Sequence, residues 1–282
     1  MLLAITAKTA FLRKVNEIFF AVISYIKTNG VTAMEYTFHI YNKMASDGIS
    51  LATNTLLSTT KTKTKNAINT LAISHKKEEM KGACTSLTQK TVQKATHTST
   101  QIHAQIPAQI SNQNPTQNQT IEKPPVIVCV GSDLAIGDSL GPITGSMLKF
   151  KTQGLHVFLY GTLSAPVTAK EIKYMRTFLK ETHPDRQIIA IDAAVGNQGD
   201  IGLIKATSSP LLPGAGANKQ LGAIGDISIL GIVAEKSISN YGLFNTTRLN
   251  LVYTMSEIIS DALATLLWEK CSRYQDHSIK NA

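Results

Sequence analysis

Apolar positions along the chain fall into three regimes. From residue 2 to 57 they recur at three- and four-residue spacing. Phe11, Val15, Ile18, Phe19, Val22 and Ile26 would share one face of a helix over 2–29. A second amphipathic helical region is predicted over Glu35–Leu57, broken near Gly48. The run Ile18–Ile26 is too short to span a membrane. It also lacks a signal peptide's layout, so an interfacial helix or a docking helix both fit. From 58 to 125, Thr, Ser, Gln, Asn and Lys dominate, as in TKTKTKN and AQIPAQISNQNPTQNQT. Such a segment buries too little apolar surface to offset the entropy of ordering it, and a disordered linker is expected.

Beyond 126, short apolar runs alternate with helical stretches. Val126–Val130, His156–Tyr160, Gln187–Asp192 and Asp226–Val233 read as buried strands, with Ile201–Ala206 a short one whose direction, parallel or antiparallel, stays open. A helix is expected after Pro142, since proline is tolerated in a first turn. Another runs over Val167–Glu181, stopped at Thr182-His183-Pro184. A last helix, capped by Asn245, carries Leu249, Val252, Met255, Ile259, Leu263 and Leu266 as a stripe to Trp268. Alternation of this kind predicts an α/β fold, three αβα layers around a mostly parallel sheet. The expected organisation is a helical leader (1–57), the linker (58–125), an α/β domain (126–271) and a flexible tail (272–282).

Candidate chemistry concentrates in Val126–Pro142, VIVCVGSDLAIGDSLGP. A buried strand runs into a loop carrying Asp133 and Asp138, and the loop opens a helix. Ligands bind at that edge of open α/β sheets. Gln187–Asp192, QIIAID, is a second strand ending on a carboxylate. If the two strands are parallel neighbours, Asp138 and Asp192 meet. Paired carboxylates push one pKa up, so that one serves as acid and the other as base. The competing reading makes Asp192 a turn cap and Asp138 a helix cap. Leu211–Lys219, LLPGAGANK, is a glycine-rich loop in which Gly214 and Gly216 allow close approach, and Asn218 and Lys219 could reach a cleft. It lacks the G-x-x-x-x-G-K-[ST] of a phosphate loop, and Gly131–Gly137 lacks G-x-G-x-x-G, so nucleotide binding is poorly supported. No G-x-S-x-G elbow is present.

Charge sharpens the division. The net charge is +9. Residues 1–125 hold 14 Lys/Arg and 6 Asp/Glu, a net of +8, and residues 126–282 hold 14 and 13, a net of +1. The basic character belongs to the front half, where aromatics for base stacking are lacking over the linker, so no specific nucleic acid is expected. Cys84, Cys129 and Cys271 are odd in number and widely spaced, which argues against a disulfide framework or a zinc site and suits a reducing cytoplasm. Cys129, inside the first strand, reads as a small buried hydrophobe.

Four ordered motifs, VGSDLAIGDSLGP, IIAIDA, LLPGAGANKQL and GDISILGIV, resemble the YyaC family of sporulation proteins over about Val126–Trp268. That family is related to the germination protease and more distantly to the hydrogenase maturation proteases. The resemblance implies a hydrolase-like three-layer fold, peptide-bond hydrolysis, and catalytic aspartates at Asp138 and Asp192. It also implies a cytoplasmic setting, in the forespore or mother cell of a spore former. Asp133, Gly214, Gly216, Asn218 and Lys219 would contact a protein or peptide substrate, with small acid-soluble spore proteins as candidates. No cofactor and no metal are expected: the hydrogenase relatives use acids plus a histidine around nickel, and here His156, His183 and His277 stand apart from the acids in sequence. No transmembrane segment is expected, and homo-oligomerisation is left open. The chain departs from the family in the apolar Leu134-Ala135-Ile136 between the acids. It also departs at Ser164 and Thr168, near which an acid and a histidine are expected. The alternative is a non-catalytic sporulation protein that uses the fold as a binding module.

Overall fold

A computed structural model describes residues 22–28, 31–62, 122–214, 221–236 and 247–280. Segments on both sides of 62–121 form one compact unit. Its centre is a seven-stranded sheet in the order β1-β2-β6-β7-β5-β3-β4. The strands are β1 (Val22–Thr28), β2 (Val31–His39), β3 (Val126–Cys129), β4 (Leu159–Tyr160), β5 (Ile188–Gly196), β6 (Leu203–Thr207) and β7 (Ile227–Glu235). β4, β3, β5 and β7 are mutually parallel. β6 runs antiparallel to β7, β2 to β6, and β1 to β2. Five strands therefore share one direction, and β1 and β6 oppose them. β3 and β5 lie inside the sheet, and β3 and the first four residues of β5, Ile188–Ile191, read as unbroken apolar runs because both faces are covered.

Among the described residues, four helices complete the layers: α1 (45–62), α2 (Leu140–Lys151), α3 (Ile172–Thr182) and α4 (Leu249–Lys280). Alternation along the strands sorts side chains between two cores. Ile127, Cys129, Ile189, Ile191, Ile227 and Ile229 join α1, α2 and α4 in the larger one. Val126, Val128, Ala190 and Met175, Leu179 of α3 form the smaller one on the opposite face. The expected α/β character and three layers are present.

The front of the chain differs from the helical expectation. Residues 22–28 and 31–39 are strands, paired Thr28↔Val31 through Val22↔Thr37 as a hairpin. The reason lies in β2, where Met34, Tyr36 and Phe38 are buried in strict alternation, a period of two that a helix cannot satisfy. The second helix is real but covers 45–62, with Gly48 inside it rather than breaking it. Gly48 is there because a Cβ would lie 2.4 Å from Phe38 Cε1. Residues 2–21 of the expected first helix lie outside the described residues, as do 63–121 of the linker. The linker's first residues continue α1, and Pro124 and Pro125 at its end are buried.

Smaller differences have local causes. α3 starts at Ile172, not Val167, because Glu171's carboxylate accepts the Thr168 N–H (2.9 Å) and the Thr168 hydroxyl, holding 168–171 as a turn. α4 runs to Lys280, through the tail expected to be flexible, while its expected cap Asn245 lies outside the described residues. Within α4, Leu249–Gln275 has the length and mean hydropathy (1.2) of a membrane-spanning helix, but 56% of that window is buried inside the protein.

Candidate functional site

The site is built where β3 stops. Cys129 pairs with Ile191, and the Val130 N–H donates to the Ile191 carbonyl at 2.7 Å, so the chain leaves the sheet level with Asp192 of β5. β5 itself continues to Gly196 along β7, with Asp192 opposite Leu230. Strand alternation puts Asp192 on the face of Ile188 and Ala190. The departing loop turns back tightly. Gly131 has φ +141°, and a Cβ there would lie 2.1 Å from the Asp138 carbonyl oxygen. Ser132 N–H donates to that carbonyl at 3.1 Å. Asp138 sits in a single 3-10 turn, Gly137–Ser139, which packs against β5 and leads directly into α2. Gly141, in the first turn of α2, lets the helix touch the end of β3, since a Cβ would meet the Val130 carbonyl oxygen at 2.0 Å.

This geometry brings together Asp138 and Asp192. Asp192 is 8% exposed, and one carboxylate oxygen accepts its neighbour's Ala193 N–H at 2.8 Å. Burial, and then the negative charge of Asp138, push its carboxyl well above the usual carboxylate range, against the smaller effect of that hydrogen bond. Asp138 is only half-buried. The pair is thus unequal: Asp192 is buried with its pKa raised, and Asp138 is half-buried.

The other predicted residues stand differently. Asp133 is exposed on the outer part of the same loop. The glycine-rich loop leaves the sheet from the edge opposite the aspartates, because β6 ends at Thr207 beside Ser228 and β7 begins at Ile227 beside Ile189. Its arms pair at Leu211 and Ile224 and pack on the face that Asp192 shares. Gly214 takes φ +73°, whereas Gly216, Asn218 and Lys219 lie outside the described residues. His183 accepts or donates a 2.8 Å bond with the Tyr160 hydroxyl at the far end of α3, and burial holds its pKa down. Among the described residues, no three of His, Cys, Asp and Glu lie close enough together to hold a metal ion. Cys129 is fully buried, and burial pushes its thiol well up.

Sequence reasoning missed the braces beneath the pair. Ser139, 5% exposed, donates to the Ile136 carbonyl at 2.7 Å, and Ser256 of α4 donates to the Leu140 carbonyl at 3.2 Å. Ser256 is 116 positions from Leu140, so no local pattern points to it. A cleft of about 570 Å³ lies elsewhere, between the ends of β2 and β7 and the start of α4, lined by His39, Tyr41, Glu235 and Arg248 among others. Neither aspartate lines it.

Comparison with known proteins gives a concordant picture. The family described as "Protein of unknown function (DUF1256)" matches residues 94–262, which include both aspartates. The chain is 39% identical over 142 residues to "Uncharacterized protein YyaC" of Bacillus subtilis (strain 168), covering 50% of this chain and 69% of that protein. No solved structure matches. On the family match and this identity, the chain belongs to the YyaC family, described as a family of unknown function.

Proposed function

We propose that the protein is an aspartate-dependent peptidase, and the observation that carries this reading is the unequal Asp138–Asp192 pair. Amide hydrolysis needs a base to take a proton from water and an acid to give one to the leaving nitrogen. Asp138, the more accessible carboxylate, takes a proton as the water oxygen bonds to the scissile carbonyl carbon. Asp192, held protonated by its burial and by Asp138, delivers its proton to the amide nitrogen as the C–N bond breaks. The products are a carboxylic acid and an amine, and the protons on the pair are exchanged with solvent for the next turnover. No nucleophilic side chain enters the scheme.

The wider proposal follows the resemblance: a hydrolase-like fold related to that of the germination protease, acting in the cytoplasm of a sporulating cell on a spore protein. Small acid-soluble spore proteins are the first substrates to try. Purified full-length chain is incubated with them beside Asp138→Asn and Asp192→Asn, each checked for folding by its thermal transition. Cleavage that both variants lose by about 10²-fold or more supports the pair. Cleavage that survives both removes it. A sporulation defect cured equally by the wild type and by Asp192→Asn favours the binding-module reading.

A further inference from the structure

The loop that carries Asp138 also holds an aliphatic side chain out in water. Leu134 is 90% exposed. Single exposed leucines are ordinary on protein surfaces, but this one sits on a loop tied to itself. Leu134 N–H donates to Ser132 Oγ (3.2 Å), and Asp138 N–H to the Ala135 carbonyl (3.0 Å). Ile136, on the same loop, is 38% exposed.

The loop after β4 repeats the arrangement. Thr162 and Ala165 exchange two hydrogen bonds of 3.1 Å, Leu163 N–H donates to Ser146 Oγ at 2.9 Å, and Leu163 is 44% exposed at the tip. The two loops leave adjacent strands at one edge and are joined at their bases, where Gly131 N–H donates to the Val167 carbonyl at 3.0 Å. Residues 161–167 carry no charged side chain, and on the aspartate loop Asp133 is the only charge before Asp138. Three aliphatic side chains are therefore presented on two adjoining loops, of which one continues directly to Asp138 and the other is tied to its base through Gly131 and Val167.

We infer that Leu134, Ile136 and Leu163 form the subsite for an aliphatic side chain of an extended polypeptide, adjacent to the bond held at Asp138 and Asp192. The position of that bond rests on the peptidase reading; the binding rests on the two loops alone. Continuity with a site suited to an amide argues for a polypeptide as occupant. Asp133 beside Leu134 disfavours an acidic residue next to the aliphatic one, through like-charge repulsion.

The test uses the full chain and a library of capped, unstructured octapeptides randomised at each position, with cut sites read by mass spectrometry. The same preparation is photolabelled with a capped alanine pentapeptide carrying a diazirine analogue of leucine at its centre. Cuts beside Leu, Ile, Val or Met that the double variant L134D/L163D loses about tenfold or more, relative to other cuts, support the subsite; this is the discrimination an apolar pocket gives. Cuts without aliphatic preference, or with a preference the double variant keeps, overturn the subsite and leave the peptidase reading standing. If the chain cuts nothing, labels on 132–138 and 161–167 that a leucine peptide displaces and an aspartate peptide does not support the subsite while the peptidase reading falls. Labels elsewhere, or none, overturn it.

Discussion

Replacing Phe38 with alanine tests the feature of the fold that most changes the picture of the front half. Phe38 is 1% exposed at the end of the buried row Met34, Tyr36, Phe38 of β2. Its ring lies against Gly48 of α1, where the backbone leaves no room for a Cβ. The alanine variant removes the ring and leaves its space between β2 and α1, while β2 is held by its register with β6 from Glu35↔Thr207 to His39↔Leu203. Truncating a buried phenylalanine costs the lost transfer energy plus the cavity, about 3–5 kcal/mol. Domains are typically stable by about 5–15 kcal/mol, so this one side chain carries roughly a fifth of the whole or more. Urea unfolding of the full chain, followed by far-UV circular dichroism and by Trp268 fluorescence, measures it. Both probes should shift together, since β2 and α4 share one core. A loss below about 1 kcal/mol, or a shift in only one probe, would refute the claim that residues 31–39 belong to the same cooperative unit as the α/β sheet.

Two further outcomes bear on the site. Asp192→Asn should stabilise the protein near neutral pH. A carboxyl whose folded pKa is raised holds its proton more tightly folded than unfolded, so stability is retained below the ordinary value of 3.8 and is lost as pH rises through the raised one. The variant's advantage in thermal midpoint should therefore vanish below about pH 3.8, and an advantage unchanged at acid pH would contradict the assignment. Gly131→Ala forces a side chain into φ +141° and against the Asp138 carbonyl. It should cost roughly 1–3 kcal/mol in stability and should lower the turnover proposed for the pair by more than that loss explains. Equal activity per folded molecule would show that the loop's exact path does not matter.

How much of this was legible in the sequence depends on how local each determinant is. β3, β5 and the helix entered through Pro142 could be read because a run such as VIVCV, bounded by glycine, has few alternatives when both faces are buried. The meeting of Asp138 and Asp192 could be read as a condition on strand order, and β3 beside β5 in parallel satisfies it. The front half was misread because Val22 and Ile26 fit a four-residue spacing as well as a two-residue one, while the alternation Met34, Tyr36, Phe38 and the Asn29-Gly30 pair before it are a hairpin's signals. A strand that joins its sheet across more than 160 positions, as β2 joins β6, leaves no mark of its partner in its own residues. The same limit hides Ser256 beneath the aspartate loop. It has a consequence for dissecting the protein. Deleting residues 1–120 would strip β6 of its neighbour β2 and uncover the core faces that Tyr36, Phe38, Ile49 and Leu56 close. Loss of activity in such a truncation would therefore report unfolding, and the role of the linker is better examined by removing 63–121 alone, with β2 and α1 left in place.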